Sequence, residues 1–209
     1  MYGVILAKGE KSRRVGELKA FIKICGVPMI EKIVREIYTS FEKILIVTTD
    51  VKRFEGVAGA EVCYDSYKIG PLGGILTGLA LSPYQYNFMI ACDYPFVERE
   101  VIELMKDVER DYDILMPKNK NSVHPLFAIY SKSVIPAIKE NLRMRKYSVF
   151  DLVKRTKVRY IEDIKNFENV FFNLNTKKDL EKIYRNTSRK DEFRKTDVKK
   201  LFNPSHLEY

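Results

Sequence analysis

Three carboxylates in this chain of 209 residues each follow directly on an apolar run: Asp50 after KILIVTT (43–49), Asp65 after AEVCY (60–64) and Asp93 after NFMIAC (87–92). Short apolar runs of this kind read as buried parallel strands. A carboxylate at the carboxyl end of such a strand lies where a hard cation and phosphate oxygens could meet, since Mg2+ takes one or two carboxylates and completes its shell with phosphates and water. Each also has a purely structural reading. Asp93 precedes a turn containing Pro95 and could cap the helix that begins near Glu98.

A fourth run, YGVILA (2–7), is followed by a loop holding Lys8, Gly9, Lys11, Ser12, Arg13, Arg14, Gly16 and Lys19. Small residues let backbone amides approach one phosphate, and the cations add attraction. The loop is not a P-loop, because Glu10 stands where the Gly-Lys pairing requires Lys, and Gly9 and Gly16 are too far apart for a dinucleotide fingerprint. An exposed basic loop is the alternative. GPLGGILTG (70–78) opens with Gly70, Pro71, Leu72 and Gly73 and holds four of the ten glycines. It suits either a ligand lying against backbone or a helix packed tightly on a sheet.

In FFNLNTKKDL (171–180), Thr176 and Asp179 have the spacing of a capping box. Asn173 could reach a substrate or a metal-bound water. His124 reads as a strand-entry residue. Without a second internal His or a reactive Cys beside it, nucleophilic catalysis through His has no support.

The elements that must position these groups alternate. After the first strand and its loop, Pro28 opens a helix through Phe41 with Ile30, Ile33, Val34 and Ile37 on one face. Strands at 43–49 and 60–64 follow, then a helix from the Gly70 loop to Pro83, the strand 87–92 and a helix over 98–110. DILMP (113–117) and PLFAIY (125–130) read as strands, and Ser131–Leu142 as a helix. A short helix over 150–155, strands VRYI and NVFF, and a helix from Thr176 to about Arg185 complete the pattern. The alternation predicts an α/β sheet covered on both faces, with ligands at the carboxyl ends of its strands. Residues 1–185 read as one domain and 186–209 as a basic C-terminal tail without an apolar face.

Composition sets the outer bounds. There are 37 basic and 28 acidic side chains, 45% hydrophobic residues and three cysteines, Cys25, Cys63 and Cys92. These values exclude a disordered chain, and the cysteine spacing fits neither a disulfide scaffold nor a zinc module. No apolar run approaches the roughly 20 residues of a membrane span. The N-terminus has its apolar stretch ahead of its charges, the reverse of a secretory signal. A reduced, cytoplasmic protein without membrane contact is expected. The net charge of +9 could attract a nucleotide or nucleic acid, or reflect a solvated lysine-rich surface. Residues 177–200 carry ten Lys or Arg against five Asp or Glu, so more than half of the excess lies away from the Gly-rich motifs.

Taken together, VILAKGEKSRRVGELKAFIKICGVPMIEKIV (4–34), GPLGGILTGL (70–79), MIACDYPFV (89–97), HPLFAIY (124–130), YSVFDLVKRTKVRYIE (147–162) and FFNLNTKKDL (171–180) resemble the molybdenum cofactor guanylyltransferase family. The resemblance implies a three-layer α/β/α nucleotidyltransferase fold with a mostly parallel, doubly wound sheet, like that of the nucleotide-sugar transferases. Leu6 and Ala7 match the start of the family's Leu-Ala-Gly-Gly pattern, Arg14-Val15-Gly16 its Arg-Met-Gly, and Lys19 its lysine. The family's Gly-Gly is replaced by Lys8-Gly9-Glu10. Asp93 matches the magnesium-binding aspartate, Asp65 an aspartate near the guanine nucleotide, and Asp50 a polar nucleotide-contacting position. Gly70, Pro71, Leu72 and Gly73 fall in the nucleotide-binding segment, and Asn173 and Asn175 on the substrate side.

The implied reaction joins GTP and molybdopterin, or the molybdenum cofactor, into the guanine dinucleotide cofactor with release of pyrophosphate. Mg2+ is the implied cofactor, and Lys19, Asp93 and Arg14 the implied catalytic groups. Transient contact with molybdoenzymes or cofactor chaperones would follow. A sister enzyme using CTP, or one with a sugar or alcohol phosphate acceptor, shares most of the motifs. So would a carrier that binds cofactor without turnover. Nucleic-acid binding through the basic tail lacks an aromatic-basic motif.

Overall fold

The computed structural model describes residues 1–9, 18–119, 122–162 and 167–184. Arg14 and the rest of the loop 10–17 lie outside the described residues, as does the tail 186–209.

The apolar runs become the middle of one sheet. β1 (Tyr2–Ala7) is buried along its whole length. It pairs in parallel with β4 (Lys43–Thr48) on one side and with β6 (Tyr86–Ala91) on the other. Between β1 and β4 in sequence, a hairpin of β2 (Lys23–Ile24) and β3 (Val27–Pro28) leads into α1 (Met29–Ile37). β5 (Glu61–Tyr64) pairs in parallel with β4. Beyond β6 lie β7 (Ile114–Asn119), β8 (Ser122–Val123), β9 (Phe127–Ser131) and β10 (Val158–Glu162). The order is β5-β4-β1-β6-β9-β7-β10, with β8 attached to β7. β9 runs antiparallel to β6 and β7, and β8 antiparallel to β7, whereas the other neighbours are parallel. The three-layer, mostly parallel, doubly wound fold expected from the sequence is the one observed.

Two cores sandwich this sheet. α1 turns Ile30, Ile33, Val34 and Ile37 onto one face, where α4 (Arg99–Lys106) adds Val101, Ile102 and Met105. The other face is covered by α3 (Pro71–Leu81), α5 (Ile135–Arg143) and α6 (Val149–Val153). α3 is apolar nearly all round because it is buried nearly all round. Its glycines set its distance from the sheet. A Cβ on Gly78 would stand 2.7 Å from Val4 Cγ1, and one on Gly74 2.9 Å from Leu6 Cδ2. Close packing therefore accounts for these two glycines without any ligand.

Several elements differ from the sequence reading. α1 ends at Ile37 and tightens into a 3-10 turn over Tyr38–Ser40. The β2–β3 hairpin turns through Cys25 and Gly26, both with positive φ, a backbone demand that hydrophobic patterning does not reveal. NVFF, expected as a strand, lies in a 3-10 turn over Glu168–Phe171. Its two aromatics find separate partners: Phe171 stacks on His124 with centroids 4.7 Å apart, and Phe172 lies 6.0 Å from Phe96. These contacts, with Val170 N–H donating to Phe167 O and Phe172 N–H to Asn169 O, outweigh strand propensity. The three cysteines are free, and no helix among the described residues is long and apolar enough to cross a membrane.

Candidate active site

β1 runs between β4 on one side and β6 on the other, so successive parallel strands are laid down on opposite sides of it and a crevice opens at the carboxyl ends. All four strand-end loops expected to carry chemistry meet there, around a cavity of about 730 Å³. Leu6, Ala7, Lys8 and Gly9 come from β1 and its exit, Thr48 and Thr49 from β4, and Asp65, Lys68, Gly70 and Pro71 from the segment after β5. Cys92 and Asp93 follow β6, Lys19 comes from a 3-10 turn (Lys19–Phe21), and Asn175 closes the far side. Gly9 is held against the β4 exit so closely that a Cβ there would lie 2.6 Å from Asp50 Cβ.

Lys19 forms the centre of the charged end. Its Nζ donates to Asp93 Oδ2 at 3.3 Å and to Asn175 Oδ1 at 2.8 Å. The partners are 74 and 156 residues away in sequence. Asp93 is not a helix cap: α4 begins after Glu98, and the Asp93 carboxylate turns to the lysine instead. The Asp93 carbonyl accepts the Leu174 N–H at 2.9 Å, which fixes the C-terminal segment beside the site. That segment is anchored again by the expected capping box. Asp179 N–H donates to Thr176 Oγ1 at 3.2 Å, and Thr176 N–H to Asp179 Oδ2 at 2.8 Å, ahead of the helix 177–184.

The other candidate residues divide. Asp65 is buried at the cavity wall, its Oδ1 accepting from Tyr67 N–H at 3.1 Å and Thr77 Oγ1 at 3.4 Å. Asp50 stands at the start of α2 (Val51–Phe54), where its carboxylate takes the Arg53 Nε–H at 3.0 Å and does not line the cavity. Gly70 and Pro71 line it, whereas the Leu72 side chain is fully buried in the core and Gly73 backs onto the Asp65–Ile69 turn. Asn175 reaches the site through Lys19. Asn173 turns instead toward the Tyr94 hydroxyl, and its Oδ1 is buried without a partner among the described residues.

Among the described residues no nucleophile is poised. Burial pushes the Cys92 thiol up to about 12, so it stays protonated. His124 is buried between Phe171 and Tyr94, with its pKa lowered by desolvation, and does not line the cavity. What remains is a set of groups that position and neutralise an anion. The cavity has the size of a small-molecule site. The sequence reading did not single out Thr48, Thr49 or Lys68, because only the tertiary arrangement shows which side chains of the β4 and β5 exits line the cavity.

Lysines lining a cavity at the switch point of a doubly wound sheet, with no poised nucleophile among the described residues, are features of a nucleotide-binding transferase. Residues 3–159 match the family model of the MobA-like NTP transferase domain, and the chain belongs to that family. It is 34% identical over 186 residues to a probable molybdenum cofactor guanylyltransferase of Pelotomaculum thermopropionicum, covering 86% of this chain and 90% of the relative. It is also 34% identical to the probable molybdenum cofactor guanylyltransferase of Thermococcus sibiricus, covering 88% and 97%. The crystal structure of molybdopterin-guanine dinucleotide biosynthesis protein A from Archaeoglobus fulgidus superimposes with a TM-score of 0.77 at 28% identity, covering 90% of this chain and all of that one.

Proposed function

We propose that this protein transfers the guanylyl group of GTP to the terminal phosphate of molybdopterin carrying molybdenum, forming the guanine dinucleotide cofactor and pyrophosphate. The observation that carries this reading is the Lys19 bridge, which sets one ammonium between Asp93 and Asn175 at the mouth of a nucleotide-sized cavity. The names of the relatives at 34% identity support the choice of base and acceptor.

In the reaction, an oxygen of the acceptor phosphate forms a bond to the α-phosphorus of GTP. The bond from that phosphorus to the bridging oxygen breaks, and pyrophosphate leaves with the electron pair. A phosphate monoester is already largely dianionic near neutral pH, so no general base is needed to create the nucleophile. That suits a site without a poised His or Cys. The chain's residues act by holding anions together and balancing their charge. Lys19 would exchange Asp93 for phosphate oxygens, and the backbone of Lys8 and Gly9 would approach the triphosphate. Arg14, outside the described residues, is proposed as a second cation of this loop. Asp65 would accept from the donor edge of the base.

Among the described residues no cluster of three or more His, Cys, Asp or Glu forms a metal cage. A partly exposed carboxylate on the cavity wall, paired with a lysine that a phosphate could draw away, fits Mg2+, which takes few protein ligands and several phosphate and water oxygens. Asp93 is the residue that would hold it. The ion would polarise the α-phosphoryl oxygen and screen the triphosphate from the carboxylate.

The acceptor and GTP are small molecules, so contact with molybdoenzymes or cofactor chaperones would be brief and would follow product formation. A cytoplasmic location is part of the same proposal. The reading is tested by pyrophosphate release with GTP, ATP, CTP and UTP in turn, each with and without molybdopterin. Release only with GTP and acceptor together is expected. Release with CTP would identify the sister activity, and binding without release a carrier.

Residues 1–185 are proposed as the whole catalytic domain. Among the described residues the two cores together draw on positions up to Ile183, and the helix 177–184 is held by buried Ile183 and by Tyr184 Oη, which donates to Lys23 O at 3.0 Å. Deleting 186–209 should move the melting temperature by less than the roughly 2–4 °C that 1 kcal/mol produces in a chain of this size. A larger drop in calorimetry would place part of the tail in the fold.

A further inference from the structure

The cavity has two ends. The end formed by the β1 and β6 exits and the 3-10 turn Lys19–Phe21 carries Lys8, Lys19 and Asp93, whereas the β4 and β5 exits carry Thr49, Asp65 and Lys68. Adjacent strands lie about 4.8 Å apart, so three steps from β6 to β5 span about 14 Å, enough for a triphosphate at one end to place its base at the other.

Lys68 is an unexpected residue at its position. Its φ is 53°, a conformation that Gly or Asn adopts at less cost, so the backbone does not explain a lysine there. The turn that presents it is firmly seated. Asp65 Oδ1 holds the Tyr67 N–H at 3.1 Å, and Gly73 packs so closely under the turn that a Cβ would meet Ile69 Cγ1 at 2.9 Å. The side chain is exposed, lines the cavity and rests its Nζ 5.4 Å from the Tyr64 ring centroid. The Tyr64 hydroxyl raises the ammonium's pKa, so the group is charged under working conditions.

We infer that Lys68 is a base-specificity residue, donating to the O6/N7 edge of guanine while the Asp65 carboxylate accepts from the N1–H and N2–H edge. This rests on the proposed GTP-dependent reaction and adds the residue that selects the base. Guanine presents acceptors at O6 and N7, which suit an ammonium. Adenine and cytosine each present an amino donor at the corresponding position, which an ammonium repels. Tyr64 parks the ammonium beside the cavity when no base is present.

The test is calorimetric titration of GTP and of ATP into the wild-type protein and Lys68→Met, without acceptor and with Mg2+ held constant. Lys68→Met should weaken GTP binding by about 10- to 100-fold, the size of a charge-assisted hydrogen bond, while ATP binding changes little. Thermal melting should be unchanged, and Lys68→Arg should keep most of the preference for GTP. Equal weakening of GTP and ATP would overturn the inference in favour of a phosphate contact, and unchanged affinity for both would overturn it in favour of a solvated lysine. Wild-type protein that binds neither nucleotide would overturn the functional reading itself. A wild type that prefers GTP, with the same GTP-to-ATP ratio in Lys68→Met, would overturn the base-reading role alone.

Discussion

Asp93→Asn should lower turnover by a hundredfold or more, equivalent to about 2.7 kcal/mol of transition-state stabilisation, and leave the fold intact. The two halves of that expectation have separate causes. The Asp93 carbonyl, not its side chain, receives the Leu174 N–H, so the substitution keeps the contact that docks the C-terminal segment. The ion pair with Lys19 is part-buried, with side-chain exposures of 20% and 22%, and the amide oxygen of Asn can still accept from the same ammonium. Lys19 also retains its 2.8 Å bond to Asn175. What Asn cannot supply is the negative charge that would bind Mg2+ against a triphosphate. Steady-state pyrophosphate release across a Mg2+ series, alongside a melting curve, separates these effects. Wild-type turnover at limiting Mg2+ would rule out the metal role. With the cap role already excluded by Glu98 at the start of α4, Asp93 would then serve only to hold Lys19.

Lys19→Met should weaken GTP binding by about 10- to 100-fold, or about 1.4–2.8 kcal/mol, because it removes a charge-assisted contact to phosphate while keeping most of the apolar stem. The loss should exceed that of a simple deletion of attraction. Without the ammonium, the Asp93 carboxylate faces the triphosphate with its charge uncompensated until a cation binds. The Mg2+ dependence of GTP binding should therefore steepen in Lys19→Met. Lys19→Arg should not restore full activity, since a planar fork does not reproduce a compact donor shared between a carboxylate and an amide oxygen. Calorimetric titration at several Mg2+ concentrations checks both points, and unchanged GTP affinity in Lys19→Met would remove Lys19 from the binding machinery.

The layered plan of this protein, and the end of the sheet at which the cavity opens, follow from local sequence patterns. YGVILA, KILIVTT and NFMIAC are apolar enough to be buried on both faces, which only central strands of an α/β sheet require. The spacing of Ile30, Ile33, Val34 and Ile37 and the Thr176–Asp179 box are local signals, complete within a few residues, and both appear in the structure as read. Because each strand ends in a polar loop, the loops after Ala7, Thr49, Tyr64 and Cys92 could be assigned to one end of the sheet without knowing the order of the strands. Tertiary structure alone decided the rest. Whether a run pairs parallel or antiparallel depends on what lies beside it, so PLFAIY did not show that β9 would run against its neighbours. NVFF has strand-like residues but was claimed by His124 and Phe96 as ring partners. Asp50, Asp65 and Asp93 looked alike in sequence. They were separated by Arg53, by the Tyr67 amide with the Thr77 hydroxyl, and by Lys19, partners at 2 to 74 residues' distance, and only the packed chain decides which of them each carboxylate meets. Periodicity records how much of a side chain is hidden from water, whereas the identity of the group that meets it is fixed only when distant segments pack together.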